Sequence, residues 1–467
     1  MLELKSNSNA NANSNANSTA TTTTKSTTKI TASLSIIAAL RFFGLFVVMP
    51  TLALFVQKFG VESTTIIGVA ISSYAISQII FQVPFGILGD KFSKRAVITF
   101  GLIIFAVGSL VCAFATSVEM LIFGRILQGA GAIGSVISAK ITDLIVEEKR
   151  GGAMAFMGIC IFISFIVAMI VGSVVGAKWG TDKLFLLTAL LAFLAIIPLW
   201  SIVPKAPHLQ YERVGSMSYA RLFGDKNLTL LNVSVGAQKF LMSFAFVIIP
   251  IMLTRHFEMA QGAIWKVFSV GAVAGMISIA PSMIFAEKRR RAKEMLLFSI
   301  ALFAVAFLLM GISDKYSLTL YTIGVVGFFC AFCISEPILQ NLASKYPKMQ
   351  DKSVSLGIFT TFGYLGSFFG GIIGGFIFDK FAFMAVIAVI VVLVVLWFVA
   401  LLALQNPKNA ENLYVKMDDS LKNIAEINAI TGVIESYINQ NENLLIIKFD
   451  NEKINKDALI REIAQNQ

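Results

Sequence analysis

Between Ala32 and Gln405 the chain alternates long apolar runs with short polar breaks, and each run is close to the ~20 residues a helix needs to cross a bilayer. The pattern predicts twelve spans: 32–57, 64–86, 96–117, 119–141, 152–177, 184–203, 228–254, 264–286, 294–313, 317–342, 354–378 and 381–404. The pattern stops at both ends. Residues 1–29 are an Asn, Ser, Thr and Ala tract unable to bury apolar surface. This predicts a disordered tail over 1–30 with no secretory leader, so the first apolar run is retained as a span. After Pro407 the runs give way to shorter periods, a strand over Leu413–Met417, a helix over Ser420–Ile430, strands over Val433–Asn439 and Leu444–Phe449, and a helix over Asn455–Ala464.

Composition fixes the class. The chain is 57% hydrophobic and only 14% charged, against about 25% charged in soluble domains, so it is read as an integral membrane protein. Its net charge of +11 would suggest nucleic acid in a soluble chain. Here the Lys and Arg residues sit in short loops, and they set topology instead. One set of loops carries Lys91, Lys94, Arg95, Lys149, Arg150, Lys205, Arg213, Arg221, Lys226, Lys288 to Arg291, Lys293, Lys345, Lys348 and Lys352, while the alternate set holds only Lys58, Lys178, Lys183, Arg255, Lys266, Lys315 and Lys380. The basic set is therefore cytoplasmic, with both termini inside. The long interior loop over 204–227 separates two bundles of six spans, 31–203 and 228–405, as a pseudo-repeat requires. The βαββα order after 411 predicts a small α+β, ferredoxin-like cytoplasmic domain over 411–467. All four cysteines lie in apolar runs, and His208 and His256 lie in loops, so no metal, no cofactor and no enzyme chemistry is predicted.

The densest polar signal is the loop from Gly86 to Arg95. Gly86 and Gly89 permit close backbone approach, Asp90 offers a carboxylate to a helix N-terminus, and Lys91, Lys94 and Arg95 place positive charge on the inner face. Glu287 precedes a second basic cluster in the same way in the other half. Four charges fall inside spans, where each costs about 2.5–3.5 kcal/mol on insertion scales: Arg41, Arg125, Lys239 and Glu336, in spans 1, 4, 7 and 10. That regular spacing is expected if the first helix of each three-helix unit lines one cavity. Arg125 has an alternative, since it lies about six residues, roughly 9 Å, from the outer end of its span and could snorkel. Glu336 has two readings as well. Burial favours its neutral form and a nearby Lys239 its charged form, so the pair is either a proton carrier or a permanent structural ion pair.

These residues resemble the Major Facilitator Superfamily, and within it the drug/proton antiporter branch. Gly86-x-Leu88-x-Asp90-Lys91-x-Ser93-Lys94-Arg95 resembles the signature G-x-L-x-D-R-x-G-R-K between spans 2 and 3, with Ser93 in place of a glycine. Arg125-x-x-Gln128-Gly129-x-Gly131 is similar to the span 4 motif, and Asp143 with Glu148-Lys149-Arg150-Gly151 to the segment entering span 5. The antiporter motif of span 5 is reduced to Gly172 and Gly176, without its proline. Leu40-Arg41-Phe42-Phe43-Gly44, Ser335-Glu336-Pro337 and the appended domain resemble YajR-like transporters over nearly the whole chain after residue 30.

The resemblance implies a two-bundle fold, alternating access, a small-molecule substrate exchanged for protons, a monomer, and the bacterial inner membrane. It also implies that the Gly86–Arg95 loop is a latch, with Asp90 facing the N-terminal dipole of span 11 near Ser353 and released toward Arg95 or Arg150. Such a contact is worth about 0.3–1 kcal/mol when exposed and up to ~2 kcal/mol when partly buried. Two alternatives stay open, a symporter or facilitator for a polar solute, and a membrane sensor whose C-terminal domain binds a ligand.

Overall fold

The computed structural model describes residues 10–145, 147–204, 225–288, 291–313, 317–346, 352–405, 410–416, 427–428, 430–439, 444–451 and 453–465. Twelve helical segments are long and apolar enough to cross a membrane, numbered here in chain order. Spans 1 to 6 are Thr27–Gln57, Thr64–Lys91, Lys94–Ala113, Val118–Leu144, Gly152–Trp179 and Thr181–Ser201. Spans 7 to 12 are Lys226–His256, Gln261–Ala286, Ala292–Ile312, Leu318–Lys345, Val354–Lys380 and Phe383–Leu401.

Three departures from the expected pattern have local causes. Where composition predicted a disordered tail, the backbone is helical from Ala10 and runs unbroken into span 1. Propagating a nucleated helix requires far less of a sequence than starting one. Span 1 breaks at Val47 and Val48, just before Pro50, whose ring cannot donate to the preceding turn. Span 4 is two helices, Val118–Ala130 and Gly134–Leu144. At the break a Cβ on Gly131 would press on the Gly101 carbonyl of span 3, so only a glycine allows the two backbones to meet.

The strongest contacts between the halves join span 2 to span 11, with others between span 5 and span 8 and between the outer segment of span 1 and span 7. Span 11 carries two glycine faces. Gly366, Gly370 and Gly374 lie against Gly236, Phe240 and Phe244 of span 7, while Gly371 and Gly375 lie against Gly68, Ser72 and Thr64 of span 2. Small residues at close approach are how membrane helices gain packing without a hydrophobic driving force.

After the spans, strands β1 (Ala410–Lys416), β2 (Val433–Asn439) and β3 (Leu444–Asp450) form one sheet in the order β1-β3-β2, with β3 antiparallel to both neighbours. The helix Lys456–Gln465 follows β3. Leu413, Leu445, Ile447, Phe449, Leu459 and Ile463 make a core separate from those of the spans. This is the predicted α+β unit. Its first helix, predicted over Ser420–Ile430, lies outside the described residues apart from Ile427, Asn428 and Ile430.

Candidate functional site: a charged centre between two bundles

Of the four intramembrane charges, two meet. Lys239 Nζ donates to Glu336 Oε2 at 2.8 Å, and the two side chains keep 18% and 17% of their surface exposed. Span 7 presents Lys239 beside Gln238, whose amide donates to Ser335 Oγ at 2.8 Å, so two adjacent polar pairs bind span 7 to span 10. The Lys239 ammonium also sits 5.0 Å from the Phe332 ring centroid, and Phe332 packs on Phe165 of the other half with centroids 5.2 Å apart. An ion pair beside an aromatic bed is thereby left at the seam between the bundles.

The arginines are deeper. Arg125 is fully buried, so it does not snorkel to the headgroups. Its Nη1 donates to Gln128 Oε1 at 2.8 Å, its Nη2 to the Ile71 carbonyl at 3.3 Å, and its guanidinium lies 4.8 Å from the Tyr74 ring centroid. Gln128 in turn donates to Ser109 Oγ, and Gln78 to the Gly129 carbonyl, so spans 2, 3 and 4 share one polar network. Arg41 is 1% exposed and lies 5.5 Å and 5.9 Å from the Phe42 and Phe105 ring centroids. Its Nε and Nη2 have no hydrogen-bond partner among the described residues. The four charges expected around one cavity do not all come together. Lys239 and Glu336 pair with partly exposed side chains, whereas Arg41 and Arg125 are fully buried and join neither.

Sequence reasoning missed the residues that connect the halves. The Tyr74 hydroxyl lies 3.3 Å from Ser367 Oγ, which lies 2.6 Å from Ser243 Oγ, so a polar chain passes from span 2 through span 11 to span 7. Span 2 did carry a signal, since Ser72, Ser73, Tyr74, Ser77 and Gln78 crowd polar atoms into one apolar run.

At the inner face Lys94 Nζ pairs with Asp143 at 2.9 Å, so the two signature segments do meet. Arg95 lies 4.5 Å from the Trp200 ring centroid and donates to its carbonyl at 2.8 Å, and Arg150 Nε donates to the Ile145 carbonyl at 2.9 Å. Asp90 is exposed and pairs with no described residue, and the expected contact at the start of span 11 near Ser353 falls on side chains outside the described residues. A Cβ on Gly86 or on Gly357 would meet nothing within 4 Å, whereas Gly89 faces Val136 of span 4. Gly172 and Gly176 pack on Val47 and Thr51 of span 1, within the first half. Spans 2 and 11 are in close contact at the outer end, where Thr64, Gly68 and Ser72 meet Gly371 and Gly375. The Glu148 and Glu287 side chains and that of Ser353 lie outside the described residues.

The family model of the Major Facilitator Superfamily matches this chain twice, over residues 34–347 and 228–425. The chain belongs to that superfamily. The inner membrane transport protein YajR of Escherichia coli is 30% identical over 446 residues, covering 93% of this chain and 97% of that protein. Multidrug resistance protein 1 of Bacillus subtilis is 24% identical over 351 residues, 73% of this chain and 87% of that protein. Among solved structures, a bacterial homologue of the human lysosomal transporter Spinster, inward-facing and occupied, superposes with a TM-score of 0.62 at 15% identity, covering 80% and 95% of the two chains. The nucleoside transporter NupG gives 0.61 at 17% identity, covering 79% and 99%. These likenesses make the chain a superfamily transporter with twelve spans in a bacterial inner membrane.

Proposed function

We propose that the chain exports small amphipathic molecules in exchange for protons, by alternating access of a cavity between its two bundles. One observation carries this reading: the Lys239–Glu336 pair, 2.8 Å apart and about one-sixth exposed, lies beside Phe332 at the seam between the bundles. Glu336 is the carrier in this scheme. Charged, it is held by Lys239, and protonated, it releases Lys239 and costs less to carry through a closed state. Phe332 and Phe165 meet across the seam and are buried on each other here, so they would offer an amphipathic solute apolar contact once the bundles part. The membrane voltage supplies about 2.3 kcal/mol per charge per 100 mV to proton entry. The similarity to a multidrug resistance protein of Bacillus subtilis supports a drug-like substrate.

In the same scheme Asp90 latches the inner face when it meets the start of span 11. A second reading, transport of a polar anionic solute, is favoured by the excess of intramembrane cations, Arg41, Arg125 and Lys239 against the single carboxylate of Glu336. The protein reconstituted in vesicles with a trapped pH indicator, challenged with a panel of cationic, neutral and anionic compounds, decides between them. Proton release evoked by amphipathic cations or neutral compounds supports drug export, release evoked only by anions supports the second reading, and solute flux without proton movement overturns coupling.

A further inference from the structure

The outer ends of spans 2 and 11 hold a contact that the site described above does not use. Asp379, one residue before the end of span 11, reaches across the seam to the first turn of span 2. Its Oδ1 accepts from the Thr64 backbone N–H at 2.8 Å. Its Oδ2 accepts from Ser63 Oγ at 2.9 Å, from the Thr65 backbone N–H at 2.9 Å and from Thr65 Oγ1 at 2.7 Å. Both carboxylate oxygens and the first unpaired N–H groups of span 2 are satisfied together, and the negative charge lies at the positive end of that helix. Ser63, the N-cap residue, makes no capping hydrogen bond within its own helix, so the cap comes from the other half of the protein.

The same geometry exists in reverse at the inner face. The helix of span 2 ends in Asp90-Lys91, and that of span 11 ends in Asp379-Lys380. The two helices run antiparallel, so each aspartate stands at the end where the other helix begins. Here Asp379 is engaged and Asp90 is exposed without a described partner.

We propose that Asp379 is the outer latch of this transporter, and that Asp90 and Asp379 are alternative clamps on one pair of helices, each able to close only when the other has opened. The first turn of span 2 is the receptor for Asp379. Losing the outer clamp shifts the protein toward the outward-open state, and losing the inner one shifts it the opposite way. The inference rests on alternating access but not on proton coupling or on the substrate.

The test reads distances rather than flux. In the full-length, cysteine-free protein in nanodiscs, spin labels at Lys183 and Lys266 report the outer opening, and labels at Lys91 and Lys345 the inner one. Asp379→Ala is expected to raise the ratio of outward-open to inward-open molecules about threefold or more, with the inner distance shortening as the outer one lengthens. Asp90→Asn should move both distances the other way. Ser63→Ala with Thr65→Val, which removes two of the four donors and keeps the aspartate, should give a smaller shift in the same direction as Asp379→Ala and stands in if that variant does not fold. Unchanged outer distances in the folded variants, or shifts of the same sign for Asp90 and Asp379, would overturn the proposal. Altered proton flux with unchanged distances would count against it too, while leaving the coupling scheme intact.

Discussion

Gly371 is where the outer closure can be tested by adding a single methyl group. A Cβ built there lies 2.7 Å from the Gly68 carbonyl oxygen and 2.7 Å from both Cβ and Oγ of Ser72. That is about 0.8 Å inside the ~3.5 Å of an ordinary contact. The Ser72 hydroxyl can rotate away, but the Gly68 carbonyl belongs to the backbone of span 2 and cannot. Gly371→Ala must therefore push spans 2 and 11 apart at the outer end. Overpacking of this kind costs about 1–3 kcal/mol, and that cost falls only on the outer-closed state. At 1.4 kcal/mol per tenfold, the outward-open to inward-open ratio should rise by about 5- to 150-fold. The assay is the Lys183–Lys266 label distance. A Gly371→Ala protein that folds and keeps the wild-type outer distance would refute the claim that this glycine contact closes the outer face.

Other expectations follow from the same contacts. Lys239→Met and Glu336→Gln should each lower the unfolding temperature, because breaking a buried pair costs about 3–5 kcal/mol before discounting for partial exposure, and the double variant should recover most of the loss. Additive losses would show that the pair is not energetically coupled. Gln128→Leu strips Arg125 of its Nη1 partner and should cost about 1.5–3 kcal/mol in thermal unfolding, and a change too small to measure would mean that Gln128 does not hold the arginine. Deleting residues 411–467 should leave the unfolding temperature of the membrane portion unchanged, since the appended domain has its own core.

Much of this was legible in the sequence because membrane solvent imposes a coarse code. Span number and orientation follow from apolar length and the placement of Lys and Arg, and the strands of the tail follow from period-two alternation. Intramembrane charges announce themselves by cost, which is why Lys239 and Glu336 were recognisable before their 2.8 Å contact was known. The depth of Arg125 was not legible, because snorkelling and burial share one sequence and only Gln128 and the Ile71 carbonyl decide between them. Nor were the breaks in spans 1 and 4, since they depend on where Gly131 and Pro50 meet neighbouring helices. The span 11 glycines were visible as residues, but their two opposite faces require knowing that spans 7 and 2 lie on either side. Asp379 left one trace, the Asp-Lys pair repeated at the ends of the span 2 and span 11 helices.

Coupling through Glu336 is tested most directly by separating net transport from exchange. With a solute identified by the proton-release panel, vesicles of wild-type protein and of Glu336→Gln are compared in gradient-driven uptake and in solute-for-solute counterflow, which needs no net proton movement. Wild-type protein should perform both, and Glu336→Gln should retain counterflow while losing uptake driven by the pH gradient. Gradient-driven uptake at the wild-type rate in Glu336→Gln would contradict the account and leave the Lys239–Glu336 pair as a structural bridge.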